Sequence, residues 1–246
     1  MKKILFAIAL AVVATACHTP EAGEVKVGKI AINAATRSEV SENTENKFVL
    51  TESLVPSAND LKVEIVGNGT TQSWATLAEF NEAVAGGLTF TSAPYEVTLS
   101  QGEKGAEGWS KPYFEGSTSV EVPAYGLTAE ANIEVVLANS IVRIETTDKF
   151  NGYFPTSSFK IKNIEWDATK EEMLFVNAGE ATITCEAMRQ GEATPTTLQS
   201  SVTLKPTTRH TIVFDLSTAG NAQVKVTFDD EIVEVVEQEF ELNENA

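Results

Sequence analysis

Histidine and cysteine are scarce, with two of each in 246 residues. So few ligands exclude a His/Cys metal cluster, a CxxC pair and a multi-disulfide framework. Positive charge is also short. Lys and Arg number 18 against 35 Asp and Glu, a net charge of −17. A chain this acidic repels phosphate backbones, which argues against nucleic acid as a partner. Long apolar runs are missing too: the stretch Ile4 to Ala14 stops well short of the roughly 20 residues a membrane-spanning helix needs. What remains is an apolar fraction of 42%, enough to pack a core.

The N-terminus has a pattern of its own. Met1-Lys2-Lys3 is cationic, Ile4 to Ala14 is apolar, and Thr15-Ala16-Cys17 follows. A basic start, a short apolar stretch and small residues before a cut describe a signal peptide. Ala14-Thr15-Ala16-Cys17 resembles the bacterial lipobox, in which the cysteine thiol receives lipid and the chain is cut just before it. Ala14 departs from the commonest residue there, Leu. The reading is a signal peptide over residues 1–16, with Cys17 as the lipidation site and a polar tether over 17–24. An ordinary signal peptide with an incidental Cys17 is the alternative. Cys185 would then be the one ordinary thiol left, and within Ala181-Thr182-Ile183-Thr184-Cys185 it reads as a small buried strand residue.

From residue 25 on, apolar residues recur at every second position. Gly28 to Asn33, Asp60 to Val66, Tyr95 to Leu99, Ser119 to Val122 and Ile133 to Leu137 all alternate. So do Ser158 to Lys162, Thr182 to Thr184, Ser201 to Leu204, Thr211 to Leu216, Gln223 to Phe228 and Val236 to Leu242. Alternation marks strands with one buried and one wet face. One helix is expected, Trp74 to Val84, with Ser73 as N-cap and Gly86-Gly87 at its end. A dozen or more strands and one short helix predict an all-β protein. The count exceeds one sandwich, so two tandem β-sandwiches are expected, over 25–138 and 139–246.

Catalytic candidates are few. His18 lies in the tether, and His210 precedes an apolar strand, where it reads as a surface residue at the strand start. Asp229-Asp230-Glu231 lacks calcium-loop spacing and reads as a solvated hairpin tip. Glu237, Glu239 and Glu241 read as the wet face of a strand, blunting a sheet edge. No metal or other cofactor is expected. Glu107-Gly108-Trp109-Ser110-Lys111-Pro112-Tyr113-Phe114-Glu115-Gly116 is the most distinctive stretch. Trp109, Tyr113 and Phe114 are candidate contacts for a glycan or protein partner. The alternative is a loop pinned to the sandwich by its rings.

That stretch, together with Gly28 to Ile32, Leu61 to Gly69, Leu137-Ala138-Asn139-Ser140, Asn151-Gly152-Tyr153-Phe154-Pro155 and Glu241-Leu242-Asn243, resembles a Bacteroidales group of cell-adhesion lipoproteins of unknown function. That group is similar to the fimbrillin-like surface proteins. The resemblance implies two transthyretin-like sandwiches and brings no catalytic residues. It also implies strand exchange, in which proteolysis after an arginine removes an N-terminal segment and a neighbour's strand fills the groove. The candidate cut is Arg37, in Ala34-Ala35-Thr36-Arg37-Ser38; a plain loop arginine is the alternative. The expectation is a non-catalytic surface lipoprotein with an adhesive or fimbria-like structural role. It would sit in the cell envelope, at the outer membrane or cell surface, and reach the membrane through its N-terminal lipid. A carbohydrate-binding surface lipoprotein is the runner-up, and a hydrolase of surface polysaccharide comes third.

Overall fold

The computed structural model describes residues 26–42, 47–218, 221–228 and 231–239, with side chains through Leu216. Cys17, the signal peptide 1–16, the tether 17–24 and the acidic positions Asp229, Asp230 and Glu241 lie outside the described residues. The chain is all-β, as alternation predicted.

The first half contributes β1 (Val27–Thr36), β2 (Glu39–Ser41), β3 (Lys47–Val49), β4 (Lys62–Gly67) and β5 (Thr70–Trp74). Helix α1 (Leu77–Ala85), β6 (Phe90–Thr91), β7 (Pro94–Gln101), β8 (Gly108–Trp109), β9 (Phe114–Glu121) and β10 (Thr128–Leu137) follow. Seven of these strands form one sheet in the order β5-β4-β7-β9-β10-β1-β6. It folds back at a corner: β9 and β10 pair only through Phe114–Glu115 and Val136–Leu137. The two arms bring Val63, Ile65, Val97 and Leu99 against Ile30, Ala131, Ile133 and Val135 in one core cluster. Gly116 permits the corner, since a Cβ there would stand 2.3 Å from the Glu134 carbonyl oxygen, well inside contact distance. β1 lies between β10 and β6 in the sheet order, parallel to β10 over Lys29–Thr36 and antiparallel to the short β6 over Val27 and Gly28 alone.

The second half runs β11 (Ser140–Thr146), α2 (Asp148–Tyr153), β12 (Thr156–Ile161), β13 (Ile164–Trp166) and β14 (Leu174–Val176). β15 (Gly179–Met188), β16 (Thr196–Leu204), β17 (Arg209–Thr218), β18 (Asn221–Phe228) and β19 (Glu231–Glu239) complete it. Six strands, β19-β18-β17-β11-β14-β8, make one sheet, and β13-β12-β15-β16 another. Val142, Leu174, Ile212 and Phe214 from the first meet Ile161, Ile183, Cys185 and Val202 from the second in a separate core. This is sheet-on-sheet packing, with alternate residues of each strand turned inward. One strand crosses between the halves: β8 comes from the first half and pairs with β14 of the second.

Two helix readings need correction. α1 starts at Leu77, three residues later than expected, because Thr70–Trp74 continues as a strand and Ser73 sits within it. The cap is Thr76, whose Oγ1 accepts the Glu79 N–H at 3.1 Å, while Glu79 Oε2 accepts the Ala75 N–H at 3.1 Å. The sequence Thr-x-x-Glu is that of a capping box, here with the Glu79 carboxylate reaching one residue past the cap, to Ala75. The second helix, α2, was not expected. Thr147 caps it, and its one buried residue, Phe150, joins the rings of Phe154, Phe159 and Phe214.

The halves meet around Asn139, which is 1% exposed. Its Oδ1 accepts the Tyr113 N–H at 3.3 Å and its Nδ2 donates to the Lys111 carbonyl at 3.0 Å. Its own carbonyl accepts the Thr207 N–H at 3.2 Å. One residue thus holds three connections: β8–β9, β10–β11 and β16–β17. Truncating it to Ala leaves the buried Tyr113 N–H unpaired and removes the part-buried bond to the Lys111 carbonyl, and an unpaired buried group costs about 1–3 kcal/mol. Asn139→Ala is therefore expected to lower stability by about 2–4 kcal/mol, read as a lower urea midpoint with unchanged slope. Asn139→Asp, which keeps the size but turns an acceptor toward the Lys111 carbonyl, should fare no better.

Candidate functional site

The aromatic stretch around Trp109 does not form a platform. Phe114 opens β9 and is 1% exposed within the first core, and Tyr113 is 7% exposed. Neither ring face is open to a sugar, so of the two readings of this stretch Tyr113 and Phe114 take the packing one rather than the contact surface. The Tyr113 hydroxyl donates to Glu115 Oε1 at 2.8 Å, and Lys104 Nζ donates to the same oxygen at 2.8 Å. Burial, and then the bond to Glu115, hold the Tyr113 phenol protonated well above its usual range. Burial alone would raise Glu115, but the hydrogen bonds from Lys104 and Tyr113 outweigh it, and its carboxyl lies below its usual range.

Trp109 goes to the other half. As part of β8 it pairs with Leu174, and its ring stands 5.2 Å from that of Trp166, tilted by 34°. Its Nε1 donates to the Glu165 carbonyl at 3.4 Å, and Lys170 Nζ lies 5.0 Å from its ring centre. Glu107, two residues earlier, accepts from Lys162 Nζ at 2.5 Å and from the Asn177 N–H at 2.8 Å. The segment is therefore a staple: its first residues lie in the second half and its last in the first. Beside Trp166, a cavity of about 290 Å³ is lined by Phe48, Arg143, Lys170 and Arg209 together with Glu171 and Glu172. The Arg209 guanidinium is 4.3 Å from the Phe48 ring centre and bridges Glu42 at 3.1 Å.

Arg37 stands where β1 ends. Its backbone N–H donates to the Val135 carbonyl at 2.9 Å, so it closes the β1–β10 ladder. The chain then turns into β2. The β2–β3 hairpin is held to the second half through the Ser41 N–H on the Thr207 carbonyl at 2.9 Å and through the Glu42–Arg209 bridge.

The remaining chemical groups are interior. Cys185 is fully buried, and burial, with Glu186 nearby, pushes its thiol up to about 12; a thiol so held is not a nucleophile at neutral pH. His210, expected on the surface, is 1% exposed. Its strand register decides this, because His210, Ile212 and Phe214 share one inward face of β17. Its Nε2 accepts the Lys205 N–H at 2.9 Å. Among the described residues no group of three or more His, Cys, Asp or Glu is placed to hold a metal ion. No helix there is long and apolar enough to cross a membrane.

A family model, described as a domain of unknown function (DUF4493), matches residues 21–244. The chain belongs to that family. No curated protein matches it. A fimbrial assembly protein from Parabacteroides distasonis is similar in structure, with a TM-score of 0.47 and 8% identity over 86% of this chain and 98% of that one. A candidate polysaccharide-binding protein from Bacteroides thetaiotaomicron has a TM-score of 0.44 and 7% identity, over 82% of this chain and 98% of its own. A candidate cell-adhesion protein from Bacteroides eggerthii has a TM-score of 0.39 and 11% identity, over 88% and 95%.

Burial, ahead of the charge on Lys205, lowers the His210 pKa from 6.5 to about 4. The neutral ring is the one that fits, so the unfolded chain binds a proton first as pH falls. Stability from this group is intact above about pH 6.5 and is lost progressively down to about pH 4, by about 3 kcal/mol in all. His210→Gln should remove that part of the pH dependence, measured as the difference in unfolding free energy between variant and parent across the window.

Proposed function

We propose that this DUF4493 protein is a lipid-anchored surface protein with an adhesive or fimbria-like structural role, working by association and without bond-making chemistry. The observation that carries the reading is the place of β1. It lies between β10 and β6 with Ile30 and Ile32 buried, and it ends at a basic residue, Arg37. The chain beyond the cut is held independently by the β2–β3 hairpin. Cleavage after Arg37 would free β1 while leaving the new N-terminus fixed. The edge of β10 would then present unpaired ladder groups and apolar pockets, with β6 bordering it at one end. Such an edge is completed by adding a strand, with main-chain bonds giving affinity and alternate pockets giving specificity. Burying two large aliphatic side chains stabilises by about 1.5–3 kcal/mol each, which drives re-pairing of that edge.

A second reading, glycan binding, moves from the 107–116 stretch to the cavity beside Trp166, where an aromatic wall meets three cations. A glycan array should then retain the parent chain, and Trp166→Ala should lose that retention.

Limited digestion with a trypsin-like protease, followed by sizing and electron microscopy, tests the first reading. The expected result is a cut after Arg37 and concentration-dependent end-to-end assemblies. Arg37→Gln should remain uncut and monomeric. Clean cutting that yields only monomers would contradict strand exchange.

A further inference from the structure

The connection between β9 and β10 carries an unusual tip. In Val122-Pro123-Ala124-Tyr125-Gly126-Leu127, Tyr125 is 60% and Leu127 61% exposed. Tyr125 takes φ +62°, a left-handed conformation that a bulky residue rarely adopts. Strain of this kind is kept where surroundings enforce it, and here they do. The Gly126 N–H donates to the Val27 carbonyl and the Lys29 N–H to the Leu127 carbonyl, both at 2.8 Å. A Cβ on Gly28 would stand 2.1 Å from the Pro123 carbonyl oxygen. The tip is clasped onto the first residues of β1, so its two apolar side chains stand at the point where the chain enters the fold.

We propose that Tyr125 and Leu127 form a membrane-contacting tip that lies against the lipid surface beside the anchor. The proposal rests on lipidation of Cys17. From Cys17 to Lys26 is nine residue steps, which span at most roughly 30 Å, so an acylated chain keeps this end of the molecule near the bilayer. Tyrosine and leucine suit that place: an apolar body enters the interface while the hydroxyl stays wet. Lys26 and Lys29 stand at this end of an otherwise acidic protein, with Glu24 two residues before Lys26 in sequence and Glu121 and Glu130 on β9 and β10 as acidic neighbours. The tip also sets orientation. β1 runs ten residues from the clasp to its far end, about 33 Å at strand spacing. This places Arg37 away from the lipid surface, where a protease can reach it.

Full-length protein carrying Leu127→Cys, labelled with an environment-sensitive dye, would be reconstituted into vesicles of phosphatidylethanolamine and phosphatidylglycerol containing doxyl-labelled lipid. The same dye at Val49→Cys serves as the comparison site. Intact mass reports acylation of Cys17. The expected result is a blue-shifted, lipid-quenched signal at Leu127 and neither change at Val49. With Tyr125→Ser added, the lipid quenching at Leu127 should be reduced or lost. Equal signals at both sites on acylated protein would overturn the tip while leaving the anchor. An unmodified Cys17 would overturn the anchor; freely added Cys17→Ser protein labelled at Leu127→Cys would then still support the tip if its dye is quenched by lipid, and refute it if not. A Leu127 blue shift that grows with protein concentration in the absence of vesicles would instead assign the patch to a second copy.

Discussion

A buried side-chain amide stands at the centre of the seam where the two β structures meet, alongside the β8–β14 pairing and the docked β2–β3 hairpin. Asn139 has no access to water, so each of its polar atoms must find a protein partner. It finds them on the backbones of Lys111 and Tyr113, while its own backbone takes Thr207. Neighbouring groups repeat the pattern: Ser140 Oγ donates to the Lys205 carbonyl at 2.6 Å and Thr207 Oγ1 to the Leu137 carbonyl at 2.7 Å. Short polar residues between strands usually signal a wet loop. Here they are the inner seam, and the same seam fixes where β8 leaves one half, where β11 enters the other, and where the β2–β3 hairpin docks.

Much of the architecture could be read from alternation. Leu61, Val63 and Ile65 face the core together, as their spacing implies, and the hairpin at Gly67-Asn68-Gly69 forms with positive φ at Asn68 and Gly69. What alternation does not carry is pairing. Nothing local says that β1 lies parallel to β10, about a hundred residues away, or that β11 lies parallel to β17. Periodicity fixes which face is buried and leaves the neighbour open. The two-residue β8 is too short to alternate, so the crossing of Trp109 into the second half had no local signal. α1 was misplaced because apolar spacing outweighed the Thr76–Glu79 cap, which was there to be read.

The candidate site was less legible than the fold for a related reason. Aromatic, histidine and cysteine residues are the usual flags of chemistry, and in this chain they are largely building material. Phe114 and Phe150 fill cores, His210 is a neutral inward strand residue, and Cys185 is a buried thiol. Arg37 was singled out by resemblance rather than by chemistry. In the proposed reading its weight comes from position, at the end of β1 and next to a hairpin tied to the opposite half. The features with most functional content are therefore topological: where β1 pairs, what clasps its start, and what stands at its finish.

The central claim is that β1 is a replaceable strand. Hydrogen exchange along β10, its parallel partner, measures this directly in protein cut after Arg37. The account predicts that amides of β10 facing β1 lose protection in dilute cut protein and regain it as concentration rises and a second copy's strand pairs with that edge. Protection that stays at the uncut level at every concentration would mean that β1 never leaves, and would contradict the account.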